Sequence, residues 1–140
     1  MSPSWLVIGL GNPGPRYDGT RHNVGADVVT ELCLRAGEKL VRTRLSSAGL
    51  GIPAADAQTV TLMRSRTYMN ESGIAVRKVA DFSGITPDHL IVVHDEIDLD
   101  PGRLRIKKGG GDNGHNGLKS IRVHIRTGDF IRVRVGVGRP

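Results

Sequence analysis

The sequence predicts a single α/β domain, a mixed and mostly parallel twisted sheet sandwiched by helices. Three observations lead there: short apolar runs interleave with segments of helical period, turn residues separate them, and no repeat or linker divides residues 1–140. Trp5 to Leu10 is a continuous apolar run ended by glycine and proline, a buried strand. From Val24 to Ala36 the residues Val24, Val28, Leu32 and Cys33 fall near helical spacing, and Gly37 is placed to end the helix. Val41 to Leu50 and Gln58 to Met63 read as strands around a turn from Pro53 to Asp56. Asn70 can cap a second helix whose buried stripe includes Ile74, Val79 and Phe82, closed by Gly84. Leu90 to Val93 is a further strand, Asp98 to Gly102 has turn chemistry, Leu104 to Lys107 is a strand, and Asn116 can cap a third helix. Ile131, Val133, Val135 and Val137 alternate with Arg132, Arg134 and Gly136, the period of a half-buried strand.

Composition bounds the function. Hydrophobic residues make up 38% and charged ones 24%, an ordinary globular balance. The single cysteine, Cys33, has no partner for a disulfide or a zinc site and sits in a helical pattern, so it reads as a core residue of a cytoplasmic protein. No run approaches the roughly 20 apolar residues of a membrane span. A net charge of +6 and a pI of about 10.1 suit a polyanionic partner, because Lys and Arg release counterions from phosphate backbones; charge alone leaves nucleic-acid binding open.

Unusual polar residues gather after predicted strands: Asn12 to Asn23, Tyr68 to Asn70, Asp95 to Asp98 and Lys107 to Asn116. If those strands run parallel, the four clusters converge on one cleft at their carboxyl ends. Gly9, Gly11 and Gly14 satisfy G-x-G-x-x-G, with Glu31 near the place of a ribose-binding acid. Pro13, Pro15 and Gly19 nevertheless favour a loop to about Asn23, which aims the helix amides away from a diphosphate. His22, in TRHN at the mouth of a helix, titrates in the range suited to taking a proton from water, although a histidine there also serves as a cap. Asp95 in HDEID is a candidate orienting carboxylate for it, or part of a solvated acidic turn. His94, Asp95, Glu96 and Asp98 lack the second spaced histidine of a zinc site, so no metal is expected. Side-chain amides at Asn12, Asn23, Asn70 and Asn116 can read a peptide's C=O and N–H, or cap helices. The stretch KKGGGDNGHNG is either a backbone that approaches phosphate or a surface loop.

Taken together, GLGNPGPRYDGTRHNVG, TYMNESG, VVHDEIDL, GGGDNGHNGLKSI and FIRVRVGVGRP occur in an order and spacing that resembles bacterial peptidyl-tRNA hydrolases from the first strand to the last residue. The resemblance implies hydrolysis, without metal or cofactor, of the ester joining a peptide to the 3′-terminal ribose of tRNA. His22 is then the general base and Asp95 its orienting carboxylate, while Asn12 holds the water or the developing oxyanion. Asn70, Asn116 and the Met69 main chain bind the peptide backbone, Tyr17 lines the cleft, and Lys107 and Arg134 clamp the tRNA phosphate end. No Ser or Cys nucleophile is required, so water attacks directly. The implied protein is a monomer with no obligate protein partner.

Two departures stand out. Asp112 and Asn113 occupy places where the family more often shows small residues or histidine, and an acid there is expected to weaken phosphate approach. Family members also continue past the point where Pro140 stands here into a lid and a C-terminal helix, so the sequence predicts one domain with an open cleft and lower stability. A catalytically weak tRNA- or peptide-binding module is therefore the first alternative, and a nucleotide-dependent oxidoreductase the second; turnover and nicotinamide binding discriminate them.

Overall fold

The computed structural model describes residues 5–12, 14, 16, 19–35, 37, 41–42, 47–53, 59–65 and 68–139. Seven strands form one sheet: β1 (Trp5–Gly9), β2 (Val41–Arg42), β3 (Ser47–Pro53), β4 (Thr59–Ser65), β5 (Leu90–Glu96), β6 (Leu104–Lys108) and β7 (Ile131–Gly136), in the order β2-β3-β4-β1-β5-β7-β6. The middle strands β4, β1, β5 and β7 are parallel, whereas β2 and β3 on one edge and β6 on the other pair antiparallel. Helices α1 (Val24–Arg35), α2 (Ser72–Ser83) and α3 (Asn116–Ile125) complete the fold.

Burial on both faces explains why β1 and β5 read as unbroken apolar runs. Leu6, Ile8, Leu90 and Val92 pack with Val76 and Val79 of α2 and Leu118 and Ile121 of α3. Val7, Leu62 and Val93 point the other way, onto Val29 and Cys33 of α1. The α/β fold with helices on both faces is therefore as expected. No described helix is long and apolar enough to cross a membrane.

Several local expectations are corrected. The single strand expected over Val41 to Leu50 is two paired strands, β2 and β3. The turn after Pro53, the Ala36 end of the first helix and the side chain of Phe82 lie outside the described residues. On α1 the buried face is Gly25, Ala26, Val29 and Cys33, with Leu32 40% exposed. The buried stripe departs from the large apolar residues because small ones, Gly25 and Ala26, make the close approach to the sheet. Ile74 is likewise 37% exposed while Ala75, Val76 and Val79 face the core. In β7 Arg132 is buried while its apolar neighbours are only partly so, because the glycine segment folds over the arginine and takes up its guanidinium.

Two glycines set how closely α1 meets the sheet. A Cβ on Gly9 would stand 2.1 Å from the Gly25 carbonyl oxygen, and one on Gly25 would stand 2.2 Å from that of Val93. The start of α1 is thereby seated against β1 and β5, and the segment just before it is carried to the carboxyl end of β5. Gly9 and Gly11 of the first motif thus serve strand-helix packing, and α1 opens at Val24 after a 3-10 turn (Arg21–Asn23), well beyond the glycine loop.

Candidate active site

Four chain segments meet at the carboxyl ends of β1, β4 and β5. The β1–α1 connection brings His22, a 3-10 turn after β4 (Met69–Glu71) brings Met69 and Asn70, β5 ends in Asp95 and Glu96, and the entry to α3 brings His115 and Asn116. The first three follow parallel strands, as the convergence argument requires. The fourth arrives differently: β6 is antiparallel, and the glycine segment returns across the sheet before reaching Asp95.

His22 and Asp95 form the expected pair. His22 Nδ1 lies 2.7 Å from Asp95 Oδ2, with 42% of the histidine side chain exposed but only 8% of the aspartate. The alternative of a solvated acidic turn fails because β5 runs on through Glu96, placing HDE inside the strand. The hydrogen bond to Asp95 raises the His22 pKa above its ordinary value, against the opposing effect of partial burial. With Nδ1–H donated to the carboxylate, Nε2 is the free basic nitrogen.

Asp95 has a second imidazole partner that the sequence reading missed. His115 Nε2 lies 2.7 Å from Asp95 Oδ1. Burial pushes the Asp95 carboxyl up, but bonds from His115 and His22 more than offset it and hold the group well below the usual carboxylate range. The His115 ring also caps α3, its Nδ1 accepting from the backbone N–H groups of Gly117 at 3.1 Å and Leu118 at 3.3 Å. Asn116, expected as that cap, is instead the first helical residue. A histidine is an uncommon N-cap, which is why GHNG drew attention to the asparagine.

Donor atoms of His22, Asp95 and His115 lie within 4.8 Å of one another, close enough to consider a metal. The tautomers argue against one. A neutral histidine that binds metal through Nε2 carries its proton on Nδ1, where two backbone amides already donate.

Asn12 is held on both sides. Its backbone N–H donates to Asn23 Oδ1 at 2.8 Å and its carbonyl accepts from Asn23 Nδ2 at 2.9 Å, so fully buried Asn23 is a backbone clamp and not a cap. Asn12 Oδ1 accepts from the Met69 N–H at 2.6 Å, which fixes the side chain and leaves the Nδ2 donors unbonded among the described residues. Met69 is itself fully engaged, its carbonyl accepting from the Ser72 N–H and the Ser72 hydroxyl. Asn70 stands exposed in the 3-10 turn and Glu71 precedes α2, so the cap expected of Asn70 is not formed. Neither Asn70 nor Asn116 bonds through its side chain to another described residue, and Gly117 rests against the Met69 sulfur, placing the two amides on adjoining segments. Tyr17 lies outside the described residues.

A neighbouring cavity of about 450 Å³ is lined by His94, Glu96, Lys107, Arg132 and Arg134 among others. Arg134 donates twice to Glu96 Oε1, at 3.0 and 2.7 Å. Lys107 is exposed on β6. Arg132 has a different part from Arg134 on the same strand face: buried, it donates to the carbonyls of Gly110, Gly111 and Gly128 and so ties the glycine segment down. Asp112 pairs with Arg122 at 3.2 Å and Asn113 donates to Asp98, so the unusual acid of the glycine segment is already neutralised. Arg132→Ala is expected to cost on the order of 3 kcal/mol, since the charge-assisted bonds of a buried guanidinium are lost. Thermal unfolding, with amide exchange at residues 110–114, measures it; an unchanged melting point and unchanged protection would refute the tether.

A profile described as "Peptidyl-tRNA hydrolase" matches residues 6–140. The chain belongs to the peptidyl-tRNA hydrolase family. It is 85% identical to the peptidyl-tRNA hydrolase of Cutibacterium acnes, with all of this chain and 75% of that protein covered, and 51% identical to that of Mycobacterium sp. strain KMS, covering 73% of it. The crystal structure of peptidyl-tRNA hydrolase from Acinetobacter baumannii superposes with a TM-score of 0.92 at 40% identity, over 100% of this chain and 71% of that one. This family membership accords with an α/β fold and leaves the dinucleotide reading without support.

Proposed function

We infer that this chain hydrolyses the ester between a peptide and the 3′-terminal ribose of tRNA, using water activated by His22 and no covalent intermediate. The observation that carries the reading is the His22–Asp95 pair, a half-exposed imidazole on a buried carboxylate, in a chain of this family. His22 Nε2 takes a proton from water as the water attacks the ester carbonyl, and Asp95 holds the ring's tautomer and stabilises the imidazolium. The Asn12 Nδ2 donors, held in place through the Met69 amide, face the developing oxyanion. Met69 therefore acts through Asn12 more than by direct contact with peptide. Asn70 and Asn116, with unengaged amides, read the peptide backbone beside the ester. Lys107 and Arg134 bind tRNA phosphate, supported by the excess of positive charge. The protein acts as a cytoplasmic monomer without a cofactor, a reading that rests on the lone buried cysteine and on family membership.

A weak binding module is not favoured, because the family match extends across the site and the general-base pair is formed. Turnover of N-acetyl-aminoacyl-tRNA, followed as release of the acylated amino acid at catalytic protein concentration, tests the reading. Many turnovers per protein are expected; release no faster than in buffer would overturn it.

A further inference from the structure

The second imidazole on Asp95 has no part in the reaction as derived so far, and the tautomer of its neutral ring is set by the start of α3. His115 Nδ1 accepts from two amides at the N-terminus of α3, so in the neutral ring the single N–H is on Nε2, pointed at Asp95 Oδ1 at 2.7 Å. The carboxylate is thus bracketed, with His115 on one oxygen and His22 on the other. His115 is only 10% exposed, against 42% for His22, which marks it as a support for the carboxylate and not as a group open to water. Other charged groups nearby are already committed: Glu96 binds Arg134 and Asp112 binds Arg122, while buried His94 donates through Nδ1 to the Asp95 carbonyl.

We propose that His115 is a positioning residue of this site: locked by α3 into its Nε2–H form, it fixes the Asp95 carboxylate and shares its charge, so that His22 remains a usable base near neutral pH. The proposal rests on the hydrolase reading above. A carboxylate with one imidazole partner concentrates its charge on that partner and favours imidazolium; a second donor tempers the pull. The direction of the Asp95 shift agrees, with the His115 bond acting on the carboxyl ahead of the His22 bond. The geometry also links two functions, since the ring that holds Asp95 starts the helix whose first residue is Asn116.

Two substitutions separate the roles. His115→Asn keeps an acceptor for the α3 amides, because asparagine is a good N-cap, but has no atom that reaches Asp95. His115→Gln extends an amide donor toward Asp95 and gives up the cap geometry. For His115→Asn we expect a melting point close to that of the unsubstituted protein, an unchanged KM, and a titration of His22 moved up by about one pH unit, so that kcat below neutrality falls about tenfold. His115→Gln should bring the titration back toward its original position while melting lower. The readouts are the pH profile of kcat and the His22 imidazole titration followed by NMR, which needs no turnover. An unmoved His22 titration in His115→Asn, or a change confined to KM, would overturn the proposal. Absence of hydrolysis by the unsubstituted protein would instead overturn the activity reading, whatever His22 does in the NMR titration.

Discussion

Asp95→Asn is expected to abolish hydrolysis almost as completely as His22→Ala, with kcat lower by about a hundred- to ten-thousand-fold in both. For His22→Ala the cause is direct, since the proposed general base is gone. For Asp95→Asn the cause is the tautomer. The Nε2–H of His115 is held in place by α3 and requires an oxygen, so the carboxamide presents its oxygen to His115 and its NH₂ to His22. His22 must then accept through Nδ1, which moves its proton to Nε2 and blocks the nitrogen that takes a proton from water. Activity in the unsubstituted protein should rise with pH as His22 loses its proton, with a midpoint above the ordinary imidazole value of about 6.5, because Asp95 raises the His22 pKa. Any residual activity of Asp95→Asn should have its midpoint at lower pH, because the charge that favoured imidazolium is absent. Steady-state kinetics across pH on the three proteins decides the matter. Asp95→Asn within threefold of the unsubstituted kcat would remove the aspartate from the mechanism.

How much of this was legible beforehand depends on the range of the interaction that decides each feature. Buried strands such as Trp5 to Leu10 and Leu90 to Val93 announce themselves through local composition, as does the end of α2 at Gly84, whose φ of 67° suits glycine. His22 and Asp95 were nameable as a hydrolytic pair, although 73 residues separate them, because imidazole beside carboxylate is a recognisable chemistry and several motifs lay in register. β5 runs three residues past its apolar run, which local composition hides, since charged residues within HDE look like a turn when their partners Arg134, His22 and His115 are remote in sequence. Asn23 and Arg132 escape a local reading for the same reason. An asparagine at a helix mouth resembles a cap and an arginine in an alternating strand resembles a surface residue, until folding brings the Asn12 backbone and the Gly110 carbonyl to them. His115 was hidden by its neighbour, for Asn116 has the better capping propensity and only the backbone path shows which of the two occupies the cap.

Acid should destabilise this fold well above the pH at which carboxylates protonate, and His94 is the reason. Its ring is buried beside His115, Nδ1 donates to the Asp95 carbonyl, and Nε2 has no partner among the described residues. Burial, with the neighbouring His115 acting in the same direction, pushes its pKa down from 6.5 to about 4. Between those values the unfolded chain binds a proton that the folded chain refuses, so His94 contributes stability that is complete above pH 6.5 and is lost as the pH falls toward 4. A depression of this size corresponds to roughly 3 kcal/mol, or roughly 10 °C in the melting point of a chain this long. His22 works in the opposite sense: its raised pKa favours folding below about 6.5 and that contribution fades as pH rises through the folded-state value. Asp95, with its pKa depressed, keeps its contribution until the pH falls below about 3.8, outside the His94 window. Stability should therefore peak close to pH 6.5 and drop between there and 4. Melting curves at pH 7 and pH 4.5 for the unsubstituted protein and for His94→Asn isolate the effect, because whatever volume the substitution removes is common to both conditions. The substituted protein should lose markedly less than the parent between the two pH values. Equal losses would show that His94 is protonated in the fold without penalty, and the acid sensitivity would then belong to the carboxylates.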